Sequence, residues 1–409
     1  MLYNACDMKL SKQQNAALRS AAFLMATSAV GPGFLTQTVT FSALFQERLT
    51  PVILCVIIMD IVTQLHIWQT VVASGMRAPE IAGRLCPYLG YVVALLAALG
   101  GGAFLVGNIG GLALGLSTLL NVPTRTGVLL GAGIVIALLI PRGASKAAGY
   151  VAELLGCCVV AAAVFLVGKN APPLETVESS LLHIQMSEDL VSPLLTLLGG
   201  SCGGYIAFAG AHRLLDAGVT GVDALAGTRR SVLLGTLLSG GVRILLFLTT
   251  LGVCAADTPV AGEIAHSASP VLEVFFAVMG TPGRWLFGAV LTCTGLTTAM
   301  GASYTSISFL KIFHPVVQRF ERLCTACFAL IAAGVAYLWG TPTGLMLLAG
   351  LLNGAILPVM LTITLLAEQK PAIVGEDFHM HPLLRAAGIP VALAASFACI
   401  LKLTALIHG

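Results

Sequence analysis

Two short stretches combine residue types that a plain membrane helix does not use. Ala29-Val30-Gly31-Pro32-Gly33-Phe34 and Gly199-Gly200-Ser201-Cys202-Gly203-Gly204-Tyr205 each fall in the middle of a long apolar run. Gly and Pro there interrupt a helix and free backbone groups that hydrocarbon cannot satisfy. Such a break survives only against protein or a water-filled cavity. Each break also opens the N-terminus of a second half-helix, whose free N–H groups and positive dipole end favour anionic groups. Thr36, Gln37, Thr38 and Tyr205 add hydrogen-bonding side chains beside the breaks, and Asn108 and Asn353 are uncharged polar residues within other apolar runs. The candidate substrate-binding set is therefore Gly31, Pro32, Gly33, Phe34, Thr36, Gln37, Thr38, Asn108, Cys202, Gly203, Gly204, Tyr205 and Asn353.

Charges inside apolar runs form a second set: Asp60, Glu153 and Arg243. An intramembrane charge costs about 2.5–3.5 kcal/mol on insertion scales, so each calls for a partner or a function. Counted from the outer ends of their spans, Asp60 and Arg243 lie at levels that differ by roughly 3 Å at 1.5 Å per residue. That predicts an Asp60–Arg243 ion pair, which a rocking bundle could make and break. Glu153 and His212 lie nearer the cytoplasmic third, where either could carry a coupling proton. His66, near the inner end of its span, reads as an interfacial residue.

The elements that must position these residues are transmembrane helices. Of the 409 residues, 57% are hydrophobic and 10% charged, and the mean hydropathy is +0.95. Soluble proteins carry roughly a quarter charged residues. Apolar segments predict eleven spans near 18–46, 51–74, 88–120, 124–141, 147–168, 192–214, 229–254, 283–311, 321–340, 343–367 and 383–407. The polar start runs straight into the first of these without a small-residue cleavage pattern, so the first span is expected to be retained. With the N-terminus in the cytoplasm, fifteen of the 21 basic residues fall in inner loops and five in outer ones, Arg243 alone being inside a span. This is the positive-inside bias of a multi-pass protein of the inner (plasma) membrane.

Other classes fit poorly. The net charge of +3 is small and the basic residues are scattered, which argues against nucleic-acid binding. No paired carboxylates or His-rich cluster suggest an enzyme, and no catalytic residue or cofactor is expected. A channel would need a continuous polar pore lining, whereas the polar positions here are isolated. Most of the eleven cysteines lie in apolar runs and read as small hydrophobes, and Cys324-x-x-Cys327 lacks a second ligand pair.

The two breaks are five spans apart, the offset of a five-plus-five inverted repeat with paired discontinuous helices at the midplane. The expected architecture is a single polytopic all-α domain over 1–409, with a first repeat at about 18–168, a second at about 192–367 and an extra helix at about 383–407. A carrier of a small solute, in contact with the lipid bilayer and coupled to a proton, is the expected function.

Several motifs resemble one transporter family. Val-Gly-Pro-Gly-Phe-Leu-Thr-Gln-Thr at 30–38, Asp60-x3-Gln64, Val-Ala-Ser-Gly at 72–75, the 203–216 segment and Leu-Leu-Asn-Gly-Ala-Ile-Leu-Pro at 351–358 resemble bacterial relatives of the Nramp metal-ion transporters. The resemblance implies a LeuT-like fold, ten core helices plus one, and in its plainest form divalent metal transport. The family's metal ligands do not carry over. Its Asp-Pro-Gly-Asn is matched by Gly31-Pro32-Gly33-Phe34, and its Met-Pro-His places Tyr205 and Ile206 where the thioether and proline stand. Divalent ions need carboxylate, imidazole or thiolate donors, so no metal ligand is assigned. A small organic acid or amino-acid-like solute fits the breaks better, and some relatives are encoded beside 5-oxoproline-degrading enzymes, which implies the same class. Magnesium or manganese is the alternative cargo.

Overall fold

The computed structural model describes residues 12–140, 160–172, 175, 178, 187–256, 258–340 and 342–408. Among these, every regular element is helical. The two discontinuous spans come first in importance. Lys12–Ala29 (α1) and Pro32–Phe45 (α2) form one broken span, and Thr50–Ser74 (α3) follows it. A short helix, Ala78–Leu85 (α4), leads into Leu89–Leu120 (α5) and Thr124–Leu139 (α6). The fifth span is described from Val160 to Lys169 (α7). Val191–Cys202 (α8) and Ile206–Asp216 (α9) form the second broken span, followed by Leu225–Ala256 (α10). Two shorter helices, Thr258–His266 (α11) and Pro270–Met279 (α12), lie in the loop between α10 and the next span. Thr281–Leu310 (α13), Glu321–Trp339 (α14), Pro342–Ala367 (α15) and Pro382–His408 (α16) complete the chain.

Eight segments of the described residues are long and apolar enough to cross a membrane, and one of them, Pro32–Ser74, contains both α2 and α3. Counting each broken pair once, the described helices supply the eleven expected spans, of which α6 and α7 are the short ones. Glu153 lies outside the described residues.

The helices form two groups. The broken spans pack with α3 and α10, while α5, α6, α13 and α14 pack with one another. The second group is held by close backbone approach. A Cβ at Gly115 of α5 would lie 2.6 Å from Thr292 N and 2.9 Å from the Gly288 carbonyl, so no side chain separates α5 from α13 there. In lipid, where no hydrophobic force drives helices together, such small-residue contacts supply the packing energy. The outward faces need no polar stripe, and Leu99, Leu129, Leu338 and Leu393 stay apolar and exposed. α15 lies between the groups, touching α8, α5 and α2.

Candidate functional site

The first break is set by Gly31 and Pro32. Gly31 is extended (φ −95°, ψ 178°), and Pro32, which has no N–H to leave unpaired, starts α2. The second break spans Gly203, extended at φ −75°, ψ 152°, and Gly204, left-handed at φ +53°. Tyr205 then opens α9, where its carbonyl accepts from Ala209 N at 3.1 Å. The sequence pattern places the breaks at Gly31–Gly33 and Cys202–Gly204; the helices are interrupted at Val30–Gly31 and at Gly203–Tyr205, so Pro32, Gly33 and Cys202 are helical. The first turn of each half-helix retains N–H groups that no helical carbonyl can reach.

Three corners meet at the breaks. In the first, a Cβ at Gly31 would lie 2.9 Å from the Thr298 methyl and 3.2 Å from Asn108 Oδ1, so α2, α5 and α13 converge there. Tyr205 lies beside Asn108 and packs edge-on against Phe104 at 5.7 Å. Both residues are buried, and Asn108 Nδ2 and Tyr205 Oη have no assigned partner among the described residues.

In the second corner the breaks hang on α15. Gln37 Nε2 donates to the Met346 carbonyl at 2.8 Å, with Gly200 and Gly350 leaving room for its amide, and Thr36 Oγ1 donates to Met346 Sδ at 3.5 Å. A Cβ at Gly33 would meet Met346 at 3.8 Å. Asn353 Nδ2 donates to the Gly100 and Ala349 carbonyls at 2.9 Å each, and its Oδ1 sits against Gly204. Thr38 donates to the Phe34 carbonyl of its own helix at 2.8 Å and so adds nothing to the shared site.

The third corner is charged. Arg243 reaches from α10 to both broken spans: its guanidinium lies 4.2 Å from the Phe34 ring centroid, and Nη2 donates to Ser201 Oγ at 2.8 Å. Asp60, on α3, lies against Cys202 and Gln64 and feels the Arg243 charge. No salt bridge joins Asp60 and Arg243 here; the described salt bridges are elsewhere. Matching their levels along the helices does bring the two residues to one region, but Phe34 and Ser201 hold the guanidinium off the carboxylate.

His212 and His66 stand apart from this site. His212 stacks on Phe309 at 5.0 Å and contacts Ser308 Oγ at 3.3 Å, within reach of the Arg77 and Lys311 charges. His66 is fully buried. Its Nδ1 lies 2.9 Å from Glu368 and its Nε2 3.0 Å from the Leu384 carbonyl, while Thr70 Oγ1 donates to Glu368 at 2.8 Å. No local pattern signals this contact, because Glu368 sits in a polar turn after α15, 302 positions from its partner.

Two helices broken at one level, a five-span offset and a polar centre flanked by a packed scaffold define a membrane transporter of the LeuT fold. The chain belongs to the Nramp family: residues 22–405 match the family described as natural resistance-associated macrophage protein-like. It is 39% identical over 367 residues to the Bacillus subtilis membrane protein YcsG, covering 90% of this chain and 88% of that one. Its fold is similar to that of a mutant of the Eremococcus coleocola manganese transporter, with TM-score 0.76 and 16% identity, covering 100% of this chain and 90% of the other. It is also similar to MhsT in complex with L-phenylalanine, with TM-score 0.63 and 14% identity, covering 95% and 97%.

Proposed function

We infer that this chain is a secondary active carrier of a small organic acid or amino-acid-like solute, bound at the midplane between the two breaks. One observation carries the reading. The break positions hold Gly31, Phe34 and Tyr205 rather than carboxylate, amide and thioether, and the charge reaching both broken spans is a buried cation, Arg243. A fixed guanidinium beside the first turn of α2 favours an anion and repels a divalent cation. The candidate set then divides by role. Gly31, Pro32, Gly33, Gly203 and Gly204 supply backbone. Asn108 and Tyr205 supply free polar atoms, while Gln37, Thr36 and Asn353 brace the breaks. The N-terminus is cytoplasmic and the repeats divide near 18–168 and 192–367. A proton is the coupling ion, with His212 or Glu153 as its carrier.

Metal transport is the second reading. The solved relative named above is a manganese transporter, and the second break does have a thiol, Cys202, beside the Asp60 carboxylate. Among the described residues, however, no three His, Cys, Asp or Glu side chains stand together. Uptake into proteoliposomes tests the two readings. Saturable uptake of a labelled small carboxylate, with manganese neither carried nor competing, is the expected result. Saturable manganese uptake that small carboxylates leave untouched would reverse the assignment.

A further inference from the structure

The charged corner contains more open polar atoms than a structural ion pair would leave. Asp60 and Arg243 are only 4% and 1% exposed, yet Asp60 Oδ1 and Arg243 Nη1 both have no hydrogen-bond partner among the described residues. Asp60, Thr63 and Gln64 occupy positions i, i+3 and i+4 of α3, hence one face of the helix. Thr63 Oγ1 and Gln64 Nε2 are likewise buried and unpartnered. Gln64 is fixed, because its Oε1 accepts from Trp68 Nε1 at 2.9 Å. A buried charge with an unmet hydrogen bond is expensive, and opposite charges this close would normally collapse together. They do not, because each is held. Ser201 and the Phe34 ring clamp Arg243, and Asp60 rests beside the next residue, Cys202.

We propose that Asp60 and Arg243 are the specificity dyad of the carrier, reading a solute that bears a carboxylate and an adjacent N–H donor. Arg243 Nη1 takes the carboxylate, and Asp60 Oδ1 takes the N–H, with Gln64 and Cys202 beside Asp60 fixing its position. This rests on the organic-solute reading above and sharpens it. A carboxylate alone would satisfy Arg243 but place a second anion beside Asp60. An amine alone would satisfy Asp60 but bring a second cation to Arg243. A solute carrying both groups leaves neither charge unmet. The donor has two chemical sources, a free ammonium or the N–H of an amide or lactam, and the experiment separates them. Among the described residues, Arg243 is the charge that acts on Asp60. His66 is engaged with Glu368, Arg229 with Gln69 at 2.7 Å, and His212 with Ser308. The Cys202 thiol is the one remaining titratable group that acts on Asp60.

The test is thermal stabilisation of the purified full-length protein in detergent by four matched series built on glycine, alanine, leucine and phenylalanine. Each series comprises the free amino acid, its N-acetyl derivative, the acid lacking the nitrogen and the amine lacking the carboxylate. At least one series is expected to bind through its amino acid or N-acetyl member, with the acid lacking nitrogen weaker by about 10–100-fold, the size of a hydrogen bond to a charged group. Asp60→Asn is expected to erase that gap, and Arg243→Gln to abolish binding, with Arg243→Lys restoring part of it. If the variants fail to fold, the wild-type series alone decides. Equal binding of the nitrogen-free acid would overturn the dyad while leaving the organic-acid reading in place. Binding by the amine alone, or by no member of any series, would overturn both.

Discussion

Gly204→Ala tests how the second break is held. Gly204 adopts φ +53°, and a Cβ placed there would run into Asn353 Oδ1. Two costs follow. The left-handed backbone is worth about 1–2 kcal/mol against any residue with a Cβ. Asn353 must also swing away, and its amide then loses the Gly100 and Ala349 carbonyls it holds at 2.9 Å. The Asn353 amide is buried, so stranding it adds about 1–3 kcal/mol. The single mutant should therefore lose about 2–5 kcal/mol. In an Asn353→Ala background the collision is gone and only the backbone term remains, so Gly204→Ala should cost about 1–2 kcal/mol there. Reversible unfolding in mixed detergent and SDS micelles measures all four corners of this cycle. Identical costs in the two backgrounds would refute the contact between Asn353 and the break. A neutral Gly204→Ala would refute the left-handed turn itself.

Gly31 is a milder case, because its backbone is extended and an alanine there needs only the Thr298 methyl and the Asn108 amide to give way. Gly31→Ala should raise the KM for solute uptake severalfold, with a stability loss within the roughly 1–3 kcal/mol of a tight insertion. Unchanged uptake would remove this corner from the site. His66→Ala should destabilise by about 1–3 kcal/mol, because it removes one of the two side chains that hold the buried Glu368 and leaves Thr70 alone. Glu368→Gln, which keeps a hydrogen-bonding group of the same shape, should cost clearly less, and equal losses in the unfolding assay would count against the pairing.

What is readable in the sequence is whatever a membrane makes costly. Gly31-Pro32-Gly33 and Gly203-Gly204 break a helix in hydrocarbon, and their positions alone mark the halves of both broken spans. Asp60 and Arg243 stand out for the same reason, and the common level predicted from helix rise does bring them to one region. Their separation is not readable, because it depends on Phe34 and Ser201 reaching Arg243 first. Thr298 and Met346 escape sequence reasoning altogether. A threonine in a membrane helix usually bonds its own backbone, as Thr298 does to the Thr294 carbonyl at 2.6 Å. Met346 contributes through its main-chain carbonyl, which no residue type reports.

The position of α15 gives these contacts a common consequence. Gln37 ties the first broken span to the Met346 carbonyl, and Asn353, two turns further along the same helix, lies against the second break. Both tethers end in carbonyl hydrogen bonds of 2.8–2.9 Å made by the amide nitrogens. The amide oxygens of the same two residues, Gln37 Oε1 and Asn353 Oδ1, are buried and without a partner among the described residues, as are Asn108 Nδ2, Tyr205 Oη, Asp60 Oδ1 and Arg243 Nη1. Each tether therefore spends its donor on holding a break to α15 and keeps its acceptor free, so α15 both fixes the breaks and offers acceptors, while α10 offers a donor.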